Sequence, residues 1–333
     1  MRWLGSLVIA GAATIALLAS EQDGGAQAPA VPVTKSGTRL ITLGTRSGPF
    51  PTVGRAQSSN LLIVNGALYL VDAGQGVTRR LTRAGIKIVD LDTIFITHPH
   101  SDHTGGLGGL LATEYDLFRT KPVAVVGPPG TAATMAGIIQ FLTVSSEIRI
   151  SDGTHTVPVA KIFSGKDIGT GTVFQDANVK VIAAENSHFN FPSSSPAYGK
   201  YKSYSYRFET ADRIVVFSGD TGPSAALVEL AKGADLLVTE VTSVEELKEL
   251  RIKTGLWQQM TLAQQENYVR HLRQEHITPD EIGKMATRAG VRTVVLTHLP
   301  STIDPKDEYK RFGDQVKKEF SGQVLVAKDL MEF

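Results

Sequence analysis

The stretch FITHPHSDHTGG, residues 95–106, places three histidines and an aspartate within six positions. These residues are His98, His100, Asp102 and His103, between an apolar segment and two glycines. The whole chain of 333 residues has only eight histidines, so composition alone does not explain three of them in one loop. Imidazole nitrogens and carboxylate oxygens suit zinc and similar divalent cations. The stretch therefore predicts a metal site.

The composition is that of a globular protein and limits what the metal site can contain. Hydrophobic residues make up 42% of the chain and charged residues 20%, with a formal net charge of +1. The charges are mixed along the chain, which does not favour a general nucleic-acid-binding surface. The absence of cysteine excludes disulfides, thiolate nucleophiles and thiolate-bound zinc. A zinc site must therefore use His, Asp and Glu side chains.

Residues 1–30 resemble a signal peptide and are predicted to be removed. Arg2 precedes an apolar run from Leu4 to Ala19, and small and polar residues follow up to Ala30. Cleavage after Ala30 or after Ala19 would leave a periplasmic or secreted protein with no stable membrane insertion. An uncleaved anchor is the alternative, although the Ala and Gly content makes this run a mediocre membrane span.

Residues 31–333 show no internal linker and are predicted to form one domain. Asn65-Gly66 between two apolar runs predicts a β-hairpin. Thr278 and Glu281 stand in a capping-box arrangement that predicts a helix start. Hairpins dominate early and strand–helix units later, which favours sheets covered by helices on their outer faces.

Four predicted strands end in a potential metal ligand: His98, His188, Asp220 and His298. Strand ends at one edge of a sheet meet in space even when they are far apart in sequence. Rigid strand ends also hold metal ligands to the tolerance that coordination needs. We therefore expect these four residues to converge.

The motifs together resemble one known family. THPHSDH (97–103) resembles the H-x-H-x-D-H signature of the metallo-β-lactamase superfamily, and LYLVDAG (68–74) its preceding strand and turn, with Asp72 as the matching residue. ENSH, FSGDT and VLTHLP resemble the later ligand motifs in the same order. The resemblance covers roughly residues 40–330. It implies an α/β protein folded as a four-layer αββα sandwich, with a dinuclear site between the sheets.

The resemblance also implies a ligand set and a cofactor. It suggests two zinc ions per chain, with manganese or iron as alternatives. One metal would be held by His98, His100 and His188. The other would be held by Asp102, His103 and His298, with Asp220 bridging the two.

The segment EHITPDEIGKMATRAGVRTVVLTHLP (275–300) resembles the ribonuclease Z branch more closely. That branch carries a His-x-Thr motif, which His276 and Thr278 match. GTRSGPFPTVGRAQSSNLLIVNG and DAGQGVTRRL also resemble this branch and the related zinc-dependent arylsulfatases. Ribonuclease Z inserts a basic tRNA-binding arm before the third ligand motif, and residues 143–177 do not resemble it. This departure and the export signal argue against a nucleic-acid partner.

The resemblance implies hydrolysis of a phosphodiester or sulfate ester bond in a small substrate. A metal-bridging hydroxide would attack, with Asp102 as a ligand that orients it. His276 would lie across the site and stabilise the transition state or protonate the leaving oxygen. Asp102 and His276 are therefore the two predicted catalytic residues.

Several alternatives remain open at this level. The same hydroxide attacks carbonyl groups, so the chain could be a lactonase or a β-lactamase, or a ribonuclease Z-like phosphodiesterase acting on RNA. A metal-binding module without catalysis is a further alternative, and so is a di-iron redox protein, although such relatives place Glu where His100 stands. Analogy with ribonuclease Z favours a homodimer.

Overall fold

The computed structural model describes residues 37–48, 50, 52–300 and 309–333. The predicted signal peptide, residues 1–30, lies outside these residues. The strands are β1 (Thr38–Gly44), β2 (Ser59–Val64), β3 (Ala67–Val71), β4 (Leu91–Phe95), β5 (Val123–Gly127), β6 (Phe163–Asp167), β7 (Gly171–Gln175), β8 (Lys180–Glu185), β9 (Tyr204–Glu209), β10 (Ile214–Phe217), β11 (Leu236–Thr239), β12 (Thr293–Leu296), β13 (Gln323–Val326) and β14 (Met331–Glu332). The helices are α1 (Val77–Arg83), α2 (Ser101–Thr104), α3 (Leu107–Asp116), α4 (Thr131–Ser151), α5 (Val159–Ile162), α6 (Ala225–Leu230), α7 (Val244–Lys253), α8 (Leu262–Gln274), α9 (Pro279–Ala289) and α10 (Lys310–Val316).

The described strands form two sheets. The first has the order β14-β1-β2-β3-β4-β5-β6, and the second has the order β13-β12-β11-β10-β9-β8-β7. Each sheet begins with antiparallel hairpins and continues with parallel strands. Parallel neighbours need crossover connections, which the intervening helices and longer loops supply. The predicted sequence of hairpins followed by strand–helix units thus occurs twice, once in each half of the chain.

Side-chain alternation along β2 shows how the layers pack. Leu61 and Ile63 belong to a core cluster shared with α1, α3 and α4. Leu62 and Val64 point the other way, into a cluster that also contains residues of β8 to β12. Successive strand residues face opposite sides of a sheet, so both faces of β2 are buried. A third cluster packs α6, α9 and α10 on the second sheet. The predicted four-layer αββα sandwich is confirmed.

The predicted hairpin turn and the predicted helix start are both present in the structure. Asn65 and Gly66 both adopt positive φ, 51° and 87°, in the hairpin turn between β2 and β3. Thr278 and Glu281 form the capping box that starts α9. The strands β6 and β7 were not predicted, because they expose most of their residues and lack an apolar run.

The topology explains why the predicted ligands meet. The strands β8, β10 and β12 run in the same direction, because β9 is antiparallel to both β8 and β10 and the strands from β10 to β12 are parallel. Their carboxyl ends therefore lie at one edge of the second sheet. The carboxyl end of β4 in the first sheet supplies the H-x-H-x-D-H loop.

Residues 143–177 do not form a projecting arm. They contain the end of α4, the short α5 and the two strands β6 and β7, each paired within a sheet. Among the helices of residues 37–48, 52–300 and 309–333, none has both the length and the apolar character needed to cross a bilayer. The apolar run from Leu4 to Ala19 lies outside that range.

Candidate metal centre

Three histidine nitrogens converge at the first half of the site. Nε2 of His98 and Nδ1 of His100 lie 3.1 Å apart, and Nε2 of His188 lies 3.2 Å from the same Nδ1. Nδ1 of His188 donates a hydrogen bond of 2.7 Å to the carbonyl oxygen of Glu275, which leaves the Nε2 lone pair directed at the other two rings. Burial, reinforced by neighbouring histidines, lowers the pKa of His98 and of His188 well below its usual range. Neutral imidazoles are the form that binds metals.

A second group lies beside the first and combines carboxylates with histidines. Nε2 of His298 lies 3.2 Å from Oδ2 of Asp102, and Nε2 of His103 lies 3.7 Å from the same oxygen. His298 follows β12 with a φ of 47°, in the left-handed region that few non-glycine residues adopt. This backbone conformation at the end of the strand positions the imidazole in the group.

Asp220 lies between the two groups. Its Oδ1 is 3.2 Å from Nε2 of His103, and its Oδ2 is 3.2 Å from Nε2 of His298 and 3.8 Å from Nε2 of His98. Burial by itself raises the pKa of Asp220, but His298 and His103 outweigh it and hold the pKa well below its usual range. An ionised carboxylate within 4 Å of histidines of both groups is suited to bridging two cations.

Asp72 orients His103 through the ring nitrogen that does not face the cluster. Its Oδ2 accepts a hydrogen bond of 2.8 Å from Nδ1 of His103, and its Oδ1 accepts one of 2.8 Å from the backbone N–H of Thr97. Asp72 itself has a φ of 62° at the end of β3. A carboxylate on the far nitrogen fixes the tautomer of a ligating histidine and raises its basicity.

The donor set fits a pair of divalent cations. Nε2 of His103 and Oδ1 of Asp220 are buried and have no hydrogen-bond partner among the described residues, although they lie 3.2 Å apart. Buried polar atoms without partners are costly, and a shared cation satisfies both. Two groups have potential ligand atoms within 4.8 Å of one another: His98, His100 and His188; and Asp102, His103, Asp220 and His298. The structure therefore brings together all seven predicted ligands, and their role as ligands stays a prediction.

His276 lies at the edge of this cluster and is held by a carboxylate that the sequence did not indicate. Nδ1 of His276 donates a hydrogen bond of 2.7 Å to Oε2 of Glu240. Burial, reinforced by the Asp220 carboxylate, raises the pKa of Glu240 well above its usual range. His276 also has a ligand atom within 4.8 Å of atoms of His188 and Asp220. Its placement beside the cluster agrees with the predicted catalytic role, which stays a prediction.

Three more contributors were missed by sequence reasoning. The backbone N–H of Gly48 donates a hydrogen bond of 2.7 Å to Oδ2 of Asp102. Nε2 of His271 lies 3.2 Å from Nε2 of His276, and Nδ1 of His271 donates to Glu275 over 2.8 Å. Sequence analysis did not single out any of these residues, and only the fold shows that they contact the site.

A cavity of about 340 Å³ opens onto the cluster. Asp102, Asp220 and His298 line it on the metal side. We call α7 and α8, residues Val244–Lys253 and Leu262–Gln274, the cover, since both helices contribute to the cavity lining. A cavity of this volume can hold a small molecule.

Comparisons with known proteins agree with this geometry. A sequence profile described as "Beta-lactamase superfamily domain" matches residues 68–299. The chain is 32% identical over 297 residues to the ribonuclease Z of Mycolicibacterium paratuberculosis, an alignment that covers 87% of this chain and 96% of that protein.

Two solved structures show the same fold. The metallo-beta-lactamase fold protein YhfI from Bacillus subtilis is similar with a TM-score of 0.62 and 18% identity, over 89% of this chain and 98% of that one. The short form of human tRNase Z is similar with a TM-score of 0.58 and 21% identity, again over 89% and 98%. At these identities the likeness concerns the fold alone.

Proposed function

The chain belongs to the β-lactamase superfamily and is a hydrolase of the metallo-β-lactamase fold, and we propose that it cleaves phosphodiester or sulfate ester bonds in small substrates. The observation that carries the proposal is the Glu240–His276 pair beside seven converging metal-ligand candidates. Glu240 is buried and holds Nδ1 of His276, so the ring nitrogen that remains for a substrate is Nε2, which lies 3.2 Å from Nε2 of His271.

The proposed site combines two divalent cations, zinc in the first place, with residues that handle protons. When bound, the cations supply a nucleophilic hydroxide near neutral pH and polarise the ester oxygen. Asp102 is held in place by the N–H of Gly48 and accepts a proton or orients the nucleophile. In its cationic form His276 donates a proton from Nε2 to the leaving oxygen, while Glu240 keeps the ring oriented through Nδ1.

His276 is the reason for preferring ester over carbonyl substrates. Opening a lactone or a β-lactam in this superfamily does not need the His-x-Thr motif that His276 and Thr278 match. An alkoxide or phenoxide leaving group on phosphorus or sulfur benefits from protonation, and more so when it is a poor leaving group. Lactone and β-lactam hydrolysis therefore serve as comparison activities in the test.

RNA is the second candidate substrate, because the chain aligns with 96% of a protein named ribonuclease Z. Two observations favour small substrates over RNA. The cavity is about 340 Å³, and residues 143–177 form parts of the layers rather than a projecting basic arm. The formal net charge of +1 adds no strong attraction for a polyanion.

A substrate panel on the purified protein tests the proposal. The panel contains bis-(p-nitrophenyl) phosphate, p-nitrophenyl sulfate, a lactone, a β-lactam and a precursor tRNA with a 3′ extension, each assayed with zinc and with manganese. The proposal requires turnover of the phosphodiester or the sulfate above that of the carbonyl substrates. Faster cleavage of the precursor tRNA than of any small ester would replace it with the RNA alternative.

We also propose that the protein is exported after removal of residues 1–30. The support is the sequence of that segment: a basic residue, an apolar run and small residues at the expected end. Sequencing the N-terminus of protein from fractionated cells tests this, with a mature start between Ser20 and Val31 expected outside the cytoplasm. Met1 on soluble cytoplasmic protein would contradict it and would strengthen the case for RNA.

A further inference from the structure

The cover presents one face of each of its helices to the cavity. From α7 the lining residues are Leu247, Leu250 and Arg251, and from α8 they are Tyr268, His271 and Leu272. Both sets have the spacing i, i+3 and i+4, which places side chains on one face of a helix. No residue of α7 is buried, so its leucines are partly exposed where they line the cavity. An apolar surface with this placement is suited to contact with a ligand.

Arg251 is an unpaired cation on this face. It forms no ion pair and no side-chain hydrogen bond with any described residue, and its Nε atom is buried without a partner. Two other cover cations are paired: Lys253 lies 2.8 Å from Glu249, and Arg270 lies 3.0 Å from Glu275. A buried guanidinium nitrogen without an acceptor is costly, and an anionic ligand would satisfy it.

Tyr268 fixes the orientation of this guanidinium. The Cζ atom of Arg251 lies 4.0 Å from the centroid of the Tyr268 ring. A guanidinium stacked on an aromatic ring keeps its N–H groups at the edge, where they can bind a carboxylate, sulfate or phosphate in bidentate fashion. Arg251 is also more than an ion-pair distance from the carboxylates of Asp102 and Asp220, because no contact within 4.0 Å joins them. The guanidinium is therefore not neutralised by either of these carboxylates, although it lines the same cavity.

We propose that Arg251, stacked on Tyr268, binds a second anionic group of the substrate, remote from the ester bond that is cleaved. Leu247, Leu250 and Leu272 contact the apolar part of the substrate between its two polar ends. This rests on the proposed function, and it names the substrate class of the same site: a small ester with an apolar body and a distal carboxylate, sulfonate or phosphate.

The test uses p-nitrophenyl phosphodiesters that share their leaving group. The other ester arm ends in a carboxylate, a sulfonate or a neutral carboxamide of the same length. Wild-type protein should favour the anionic arms in kcat/KM, and Arg251→Gln should remove about ten- to a hundredfold of that preference, mainly through KM. Arg251→Lys should retain part of it. Arg273→Gln, an exposed change of the same charge on α8, is the matched control and should change nothing.

A binding measurement separates this inference from the proposed function. Non-hydrolysable phosphonates with the same three arms are titrated into the metal-loaded protein by calorimetry, with thermal unfolding midpoints to check that each variant is folded. Selective loss of anion-bearing ligands in Arg251→Gln supports the inference even when no ester is turned over. Equal weakening of charged and neutral arms, or no effect of Arg251→Gln on either, would overturn it while leaving the ester hydrolase proposal intact.

Discussion

Oε2 of Glu240 accepts a hydrogen bond of 2.7 Å from Nδ1 of His276, and Oε1 of the same carboxylate accepts one of 2.5 Å from the backbone N–H of Thr221. The hydrogen bond from Thr221 positions the Glu240 side chain, and Glu240 in turn positions the His276 ring. Glu240 follows β11, whereas His276 lies 36 residues later, just before α9. This arrangement fixes the orientation and the tautomer of His276.

His276→Ala should slow esters with poor leaving groups much more than those with good ones. General acid catalysis contributes ~10²–10⁴-fold, and a nitrophenolate departs without a proton. The measurement is a series of aryl and alkyl phosphodiesters with leaving groups of rising pKa, assayed with metal content determined for each sample. A uniform loss along the series would remove the general-acid role. Loss of metal in this variant would place His276 among the ligands instead.

Glu240→Gln should lower hydrolytic activity through its effect on His276. The amide has one oxygen where the carboxyl group has two, so it cannot accept hydrogen bonds from both Thr221 and His276 in the same way. We therefore expect a loss of about ten- to a hundredfold on poor leaving groups. In the double variant with His276→Ala, the loss should equal that of His276→Ala alone. Full additivity of the two losses would show that Glu240 acts independently, for example through the neighbouring Asp220.

Gly48→Ala should weaken metal binding although it replaces none of the predicted ligands. A Cβ atom at Gly48 would lie 2.6 Å from Cγ and Oδ2 of Asp102, so the carboxylate has to move. Disturbing a group that orients a ligand typically costs about 10–100-fold in metal affinity. Gly54→Ala is the matched control, because nothing lies within 4 Å of its Cβ. Competition with a chromophoric chelator measures the affinity, and equal zinc affinity in both variants would contradict the prediction.

The protein should bind two divalent cations per chain, and His298→Ala should lose metal and every hydrolytic activity together. His298 contacts both Asp102 and Asp220 at 3.2 Å, so its removal opens the second group and disturbs the bridging carboxylate. Elemental analysis after reconstitution and dialysis measures the stoichiometry. His155→Asn is the control, since His155 stacks on Tyr115 at 4.0 Å, away from the cluster. Wild-type protein with no bound metal would refute the dinuclear site.

Glu114 should make the free energy of unfolding fall as the pH rises from 5 to 8. Its side chain is buried without a hydrogen-bond acceptor or donor among the described residues, and burial raises its pKa to about 8 although Arg119 opposes this. The folded state therefore binds the proton more tightly than the unfolded chain between the usual pKa of 4.5 and about 8. That stability is present at low pH and is lost as the group ionises.

Glu114→Gln isolates this contribution. The difference in unfolding free energy between wild type and variant should shift by about 3–4 kcal/mol in favour of the variant between pH 5 and pH 8, at roughly 1.36 kcal/mol per pH unit. Urea unfolding of both proteins, stripped of metal by chelator, measures the difference at each pH. A difference that stays constant over this interval would mean that Glu114 is ionised throughout, paired with Arg119.

The layered fold and the seven ligand candidates were predicted from the sequence motifs and from their resemblance to the metallo-β-lactamase superfamily. The H-x-H-x-D-H loop is local, because its residues are neighbours in the chain and their spacing is visible. The later ligands stand at the ends of apolar strands, and rigid strand ends meet predictably at one sheet edge. Turn and cap signals such as Asn65-Gly66 are local as well, which is why the hairpin between β2 and β3 was predicted correctly.

The residues that support and surround the cluster could be identified only from the tertiary structure. Glu240, Gly48 and His271 reach the site from separate segments, and nothing in their local sequence distinguishes them from ordinary polar or loop residues. The pairing of Arg251 with Tyr268 depends on how α7 packs against α8. Hydrogen bonds and stacking act over a few ångströms in space, whereas sequence patterns report only neighbours along the chain. Contacts between distant segments therefore appear only when the two sheets and their helices have packed.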